Sequence, residues 1–320
     1  MLIKASRLFG IMDIPNHRSL HDTPKPRTGG IAVLVSILLG FFLLQQHVDS
    51  LILAVLPYAL LVVGIAFVDD IISISALWRL LLQVIVAFVI ALNGLVLDTI
   101  TLPGIEIPIP SIVGLIVTVL FIVWMINLYN FMDGMDGFSG GMAIIGFGTF
   151  AVMGFIKGDM SFGFINLIVV ASALGFLVFN LPPSKIFLGD VGATLFGMFV
   201  ALFILWADTK NIFPAWIGII VFLPFILDST VTLFKRILRG EKVWIAHCSH
   251  YYQRIVLSGL GHKKTLILEL VGMLVCSLTS LALFYLNSIV MQISLLILFA
   301  ILCITLLLYI DKITSLKMSD

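Results

Sequence analysis

The chain is a succession of long apolar runs from which charge is almost wholly excluded. They fall at about 29–47, 51–68, 76–97, 111–131, 138–157, 161–181, 192–208, 212–234, 265–286 and 289–310, divided by polar or Pro/Gly breaks. About 20 apolar residues match the hydrocarbon thickness of a bilayer, where a helix satisfies all its own backbone hydrogen bonds. Hydrophobic residues make up 61% of the 320 and charged residues only 11%, against about 25% charged in a soluble domain. So few charges cannot cover a soluble surface. The pattern predicts an all-α polytopic integral membrane protein with about ten transmembrane helices. Residues 1–320 then form a single membrane-embedded domain, with polar segments at 1–28 and 235–264.

An even number of spans places both termini on one side. Sixteen of the eighteen Lys and Arg fall in the termini and loops of that side, and only Lys157 and Lys210 fall opposite. Such an excess marks the cytoplasmic face. Asp69, Asp70, Asp133, Asp136, Asp190 and every His except His47 map to the same face. The opposite loops keep Asp49, Asp98, Glu106, Asp159 and Asp208, with no motif around them. A net charge of +1 offers nothing to nucleic acid, the three Cys lack metal-ligand spacing, and no secretory h-region precedes Thr28.

Of the 17 acids, 14 are Asp, and they recur in short constellations. Asp69-Asp70 closes an apolar run. One Asp there would simply end a helix at the interface, but two adjacent carboxylates repel unless a cation or a division of roles separates them. One held by a divalent ion and one acting as base would do so. Asn127, Asn130, Asp133 and Asp136 recur at three-residue intervals, which on a helical turn places them on one face. The glycines that follow allow close approach of a ligand to a helix N-terminus. Oxygen-bearing side chains of this kind suit a hard cation such as Mg²⁺. Asn180 precedes Gly189-Asp190-Val-Gly192, in which Asp190 is a metal-ligand candidate; as an isolated motif it reads equally as a helix cap. In the 235–264 segment, His247, His250 and Arg254 stand one turn apart and suit a diphosphate better than Zn²⁺. Asp228 is an intramembrane acid, read either as functional or as the partner of Lys235 or Arg236.

In order, Asp13-Ile-Pro15-Asn16-His-Arg18-Ser19-Leu-His21, Pro24-Lys-Pro26-Arg27-Thr-Gly29-Gly30, Asp69-Asp70, the Asn127–Asp136 series, Asn180 ten residues before Asp190, and the His247–Arg254 loop resemble the polyprenyl-phosphate N-acetylhexosamine-1-phosphate transferases, glycosyltransferase family 4. The resemblance covers nearly the whole chain. It implies transfer of a sugar 1-phosphate from a UDP-sugar to a polyprenyl phosphate such as undecaprenyl phosphate, with release of UMP, in the bacterial plasma membrane. It implies a Mg²⁺ or Mn²⁺ cofactor at Asp190, with Asn130 near the metal. Asp69, Asp70, Asp133, Asp136, His247 and His250 match catalytic positions, and Asn127, Asn130, Asn180 and Arg254 match the donor site. A homodimer is left open.

Ala246-His247-Cys248-Ser249-His250-Tyr-Tyr-Gln-Arg254 looks like the branch that starts O-antigen lipopolysaccharide and related surface polysaccharides. The peptidoglycan branch, the phospho-N-acetylmuramoyl-pentapeptide transferases, carries three consecutive His there and a Lys soon after the Asp pair. It remains the alternative within the family. A secondary transporter is the alternative of another class, but its site would lie at the bilayer midplane on broken helices, whereas these acids gather at one rim. Two departures stand out. Thr28-Gly29-Gly30 replaces a run of three glycines, and family members carry a further span before the Asp13 motif, so the sequence is expected to be one helix short at its N-terminus.

Overall fold

The computed structural model describes residues 12–15, 23–72, 74–242 and 247–317. Asn16, Arg18, Ser19, His21 and Ala246, which carried part of the resemblance, lie outside the described residues. The helices are α1 Gly29–Leu43, α2 Ser50–Ile72, α3 Ala76–Leu92, α4 Ser111–Met132, α5 Phe138–Lys157, α6 Met160–Asn180, α7 Gly189–Thr209, α8 Ala215–Val221, α9 Leu223–Leu238, α10 Tyr251–Ile255, α11 Gly261–Tyr285 and α12 Ile289–Lys317. Two short antiparallel pairs accompany them: β1 Met12–Asp13 with β2 Lys25–Pro26, and β3 Thr99–Leu102 with β4 Ile105–Pro108. The protein is thus an all-α polytopic membrane protein. Among the described residues, seven helical stretches are long and apolar enough to cross a bilayer, with α10 and α11 counted as one; α8 and α9 make an eighth if taken as a single bent span. The shorter α1 and α3 occupy the two remaining apolar runs.

Several boundaries differ from the sequence pattern, each for a physical reason. The run at 212–234 is two helices bent by 83° around Phe222. Pro224, at the start of α9, has no N–H to continue the α8 ladder. The run at 76–97 stops at Leu92, and the chain then forms the β3–β4 hairpin around Gly104, whose φ of 77° suits a residue without a Cβ. Helix α2 continues past the expected boundary at 68 to Ile72, and Asp69 and Asp70 lie at its end, as the sequence pattern predicts. Much of the 235–264 segment is helical, contributing the ends of α9 and α11 and all of α10.

Helix α7 is the axis of the bundle. Its spanning window is 94% buried inside the protein, whereas that of α12 is only 6% buried. Lipid is as apolar as Leu, so helices associate in a bilayer through close packing rather than hydrophobic exclusion. Small residues provide that closeness around α7. A Cβ on Gly30 of α1 would lie 2.2 Å from the backbone nitrogen of Gly192, and one on Gly197 would lie 2.6 Å from the Met125 carbonyl oxygen of α4. Aromatic rings fill the next shell: Phe162 lies 4.9 Å from Trp206, Phe147 5.7 Å from Phe203, and Phe138 4.7 Å from Phe225. At the end of the bundle opposite the acidic motifs, Lys210 pairs with Asp49 at 2.8 Å.

Gly30→Ala is expected to force α1 from α7 and to destabilise the protein by about 1–3 kcal/mol, the usual cost of overpacking. Gly64→Ala, in an open position on α2, is the control and is expected to be neutral or stabilising by about 0.5–1 kcal/mol through helix propensity. Thermal unfolding of both variants in detergent checks the contrast.

Candidate functional site

The acidic end of the bundle is assembled by backbone pairing between two distant motifs. The Phe187 N–H donates to the Pro26 carbonyl at 2.8 Å, the Gly29 N–H to the Phe187 carbonyl at 2.9 Å, and the Gly30 N–H to the Leu188 carbonyl at 2.7 Å. The pairing runs directly into the first turn of α7. Gly189 sits there at φ 73°, and a Cβ would lie 2.5 Å from the Arg27 carbonyl oxygen. The first N–H groups of a helix have no partner within it and favour an anion. At α7 that anion is Asp70, which accepts from the backbone N–H groups of Asp190 and Val191.

The adjacent carboxylates therefore divide their roles. Asp69 accepts from the Ile74 N–H and from Arg79 Nη1, both at 2.5 Å. The same Arg79 nitrogen lies 3.3 Å from Asp190 Oδ2. Asp70 is held by the α7 terminus and keeps Oδ1 buried without a hydrogen-bond partner. A guanidinium and a helix end thus relieve the repulsion that the sequence suggested a metal would relieve.

Asp190 lines two cavities. One, of about 180 Å³, is bordered by Asp13, Arg27, Asp133, Asp136 and His262. The other, of about 270 Å³, combines Arg79, Gln83, Asn127, Asn130 and Thr194 with apolar side chains of α2, α3 and α4, among them Val62, Leu80 and Phe131. Asn130 donates to Thr194 Oγ1 at 3.4 Å, and its Oδ1 is buried without a partner. Asn127 donates to Gln83 Oε1 at 2.7 Å.

The Asn-Asn-Asp-Asp series does not share one face. Helix α4 ends at Met132, so Asn127 and Asn130 lie on the helix while Asp133 caps it and Asp136 sits in the following turn. Asp136 is committed to Ser184, accepting from its N–H at 2.9 Å and its hydroxyl at 2.7 Å, with Lys25 at 3.7 Å. Asn180 ties the same turns together, accepting from the Gly137 N–H at 2.8 Å and donating to the Ile186 carbonyl at 2.9 Å. Both border the first cavity, held there by these bonds.

The His loop belongs to a separate network. Asp228 accepts from the backbone N–H groups of Tyr251 at 2.9 Å and Tyr252 at 3.0 Å and lies 3.1 Å from His250 Nδ1. It caps α10 and holds His250 rather than pairing with Lys235 or Arg236. Arg236 bonds Glu241 at 2.7 Å, and Lys235 bonds Asp311. Arg254 bonds Asp311 Oδ1 at 2.8 Å and also Thr314, fastening the loop to α12. The His247 ring lies 4.8 Å from that of His250, with Nδ1 2.8 Å from Ser249 Oγ. Burial, His250 and Arg236 push the His247 pKa down to about 4, so it is neutral near pH 7. The structure therefore brings together Asp69, Asp70, Asn130, Asp133 and Asp190, while His247, His250 and Arg254 stand in the neighbouring network.

Among the described residues no three His, Cys, Asp or Glu side chains form a closed metal-binding group. Mg²⁺ does not require one, since it is commonly held by one or two carboxylates, waters and substrate phosphates. The unpartnered oxygen of Asn130 and the half-exposed Asp190 carboxylate, which line one cavity, fit an open oxygen site of that kind. Sequence reasoning missed Arg79, Gln83 and His262. Arg79 is legible in the sequence as an arginine inside the first turn of an apolar span, a costly placement.

A membrane bundle with a carboxylate cluster at one end, between a cavity rich in charged side chains and one that mixes amide and aliphatic side chains, suits a membrane-embedded transferase. Residues 51–208 match Glycosyl transferase family 4. The chain is 31% identical over 268 residues to the "Probable undecaprenyl-phosphate N-acetylglucosaminyl 1-phosphate transferase" of Bacillus subtilis, covering 82% of this chain and 75% of that protein. It is 29% identical to the "Undecaprenyl-phosphate alpha-N-acetylglucosaminyl 1-phosphate transferase" of Yersinia pestis, over 83% and 74%. It is likewise 29% identical to the "Phospho-N-acetylmuramoyl-pentapeptide-transferase" of Staphylococcus carnosus, over 80% and 84%. The chain belongs to glycosyl transferase family 4 and is a multi-pass bacterial membrane protein.

Burial, reinforced by the charges of Asp190 and Asp70, raises the Asp133 pKa to about 7, against about 3.9 in an unfolded chain. Between those values the folded state binds more protons than the unfolded, so this contribution to stability falls as pH rises. Asp133→Asn removes the titration. Without divalent cations, its thermal midpoint relative to wild type is expected to climb from about pH 5 to about pH 8; a constant offset would show that Asp133 ionises normally.

Proposed function

We propose that the protein transfers an N-acetylhexosamine 1-phosphate from a UDP-sugar to undecaprenyl or another polyprenyl phosphate, releasing UMP, at the cytoplasmic rim of the bacterial plasma membrane. The observation that carries this reading is the position of Asp190 between two cavities of different character. The first, where Arg27 and His262 stand among the acids, suits a nucleotide diphosphate. The other has polar groups at its head and aliphatic walls between α2, α3 and α4, which suits a phosphate whose isoprenoid tail stays in the hydrocarbon.

In the proposed reaction an oxygen of the lipid phosphate attacks the β-phosphorus of the UDP-sugar. The bond from that phosphorus to the bridging oxygen breaks, and UMP leaves with the oxygen. Any proton on the attacking phosphate would pass to Asp70, which the α7 terminus orients. Asp190 and Asn130 would hold Mg²⁺ or Mn²⁺, which supplies charge neutralisation for the diphosphate and the departing UMP. Asp133 and Arg27 border the donor cavity and set its charge. The chemistry is thus positioning and electrostatics, as elsewhere in phosphoryl transfer.

The His-Cys-Ser-His loop and the absence of Lys directly after Asp70 favour initiation of O-antigen or another surface polysaccharide. The similarity to a pentapeptide transferase keeps the peptidoglycan substrate as the second reading. The assay is transfer of label from UDP-N-acetylglucosamine to an organic-extractable lipid, with Mg²⁺ or with chelator, followed by a panel of donors that includes the muramoyl pentapeptide. Transfer is expected with Mg²⁺ only. Asp70→Asn and Asp190→Asn are each expected to lose at least about 100-fold in turnover, the scale for a key electrostatic group, while still folding. Near-normal turnover in either folded variant removes that residue from the mechanism.

A further inference from the structure

Among the described residues, Arg79 is the one cation of the cluster that touches two of its carboxylates through a single nitrogen. Nη1 lies 2.5 Å from Asp69 Oδ2 and 3.3 Å from Asp190 Oδ2. The two ends of the bridge are unequal. The Asp69 side chain is 8% exposed and bonded to the Ile74 N–H as well, whereas the Asp190 side chain is 40% exposed and opens onto both cavities. Asp69 is the anchor, and Asp190 is the end that can be exchanged. Arg79 also lines the second cavity, 37% exposed, so its remaining N–H donors have space beside them.

From this geometry we propose that Arg79 is a built-in counter-ion for Asp190 in the substrate-free enzyme, which a divalent cation displaces only when nucleotide diphosphate arrives with it. The inference rests on the proposed metal role of Asp190. A dication approaching Asp190 alone meets a fixed positive charge that already neutralises the carboxylate. A diphosphate beside Asp190 brings the negative charge that an incoming dication needs, and the guanidinium released from Asp190 keeps its bond to Asp69 and turns its free donors into the second cavity, which it lines. Metal and nucleotide then bind with positive coupling, and by linkage each tightens the other. The arrangement keeps the acidic cluster from holding metal while the donor is absent.

The test is equilibrium binding of Mn²⁺ to the purified full-length protein in detergent, read as free Mn²⁺ by electron paramagnetic resonance, with and without UDP and with no turnover required. Wild type is expected to bind Mn²⁺ weakly alone and at least about tenfold more tightly with UDP, within the usual range of coupling between sites. Arg79→Gln is expected to bind Mn²⁺ alone about tenfold more tightly than wild type and to lose most of the UDP effect. Arg79→Lys keeps the charge without the fork and is expected to fall between them, which keeps the test decisive if the Gln variant does not fold. Asp190→Asn is expected to abolish Mn²⁺ binding in either background. If Asp190→Asn leaves Mn²⁺ binding intact, the metal assignment falls and this inference with it. If Asp190→Asn abolishes binding but neither Arg79 variant binds Mn²⁺ more tightly than wild type, only this inference is overturned.

Discussion

The first turn of α7 is the point on which the rest of the site depends. Its free N–H groups need an anion, and the anion available is Asp70 from the end of α2. The Pro26–Gly30 segment pairs with Phe187 and Leu188 immediately before that turn, so α1, α2 and α7 meet at one place. Glycine permits the meeting: residue 189 takes a positive φ against the Arg27 carbonyl, and residues 30 and 192 let two helix backbones touch. Once α7 is fixed as the buried axis, Asp190 on its first turn stands between the two cavities.

The electrostatics follow from the same crowding. Asp69, Asp70, Asp133 and Asp190 converge with Arg27 and Arg79 as the nearby counter-charges. Such a cluster has few ways to be stable: a helix terminus for Asp70, a guanidinium for Asp69 and Asp190, a displaced proton affinity for Asp133. Each uses a group that a substrate or cation could replace, which distinguishes this cluster from Asp136 and Asn180, whose oxygens are bound to backbone and Ser184. The His loop is built on the opposite logic. His250 is held by a buried Asp228 and Arg254 by Asp311 of α12. These residues set where the loop lies, and their partners are already internal.

How much of this was legible in the sequence depends on the range of the interaction. Helix existence was, because ten apolar runs can hardly be anything else in a chain with so few charges. The proximity of Asp70, Asp133 and Asp190 was also foreshadowed, since all three lie at ends of spans that face the same way. The shared helical face proposed for Asn127 through Asp136 was not realised, because α4 stops at Met132 and periodicity carries no meaning past a helix end. The break within 212–234 had a local signal in Pro224, but hydropathy averaged over it. Arg79 had a signal too, which charge counting across loops concealed.

By itself, then, the sequence determined the class of molecule, the common face of its polar motifs and the family to which their order belongs. These follow from the thickness of a bilayer and from the exclusion of charge from it, and neither requires knowing which helix touches which. Only the tertiary structure decided which acids remain available. Hydrogen bonds and ion pairs between residues far apart in the chain bind Asp136, Asn180 and Asp228 to structural partners. They leave Asp70 and Asn130 each with an unpartnered oxygen and Asp190 half-exposed beside Arg79, because side-chain availability is set by what packs alongside.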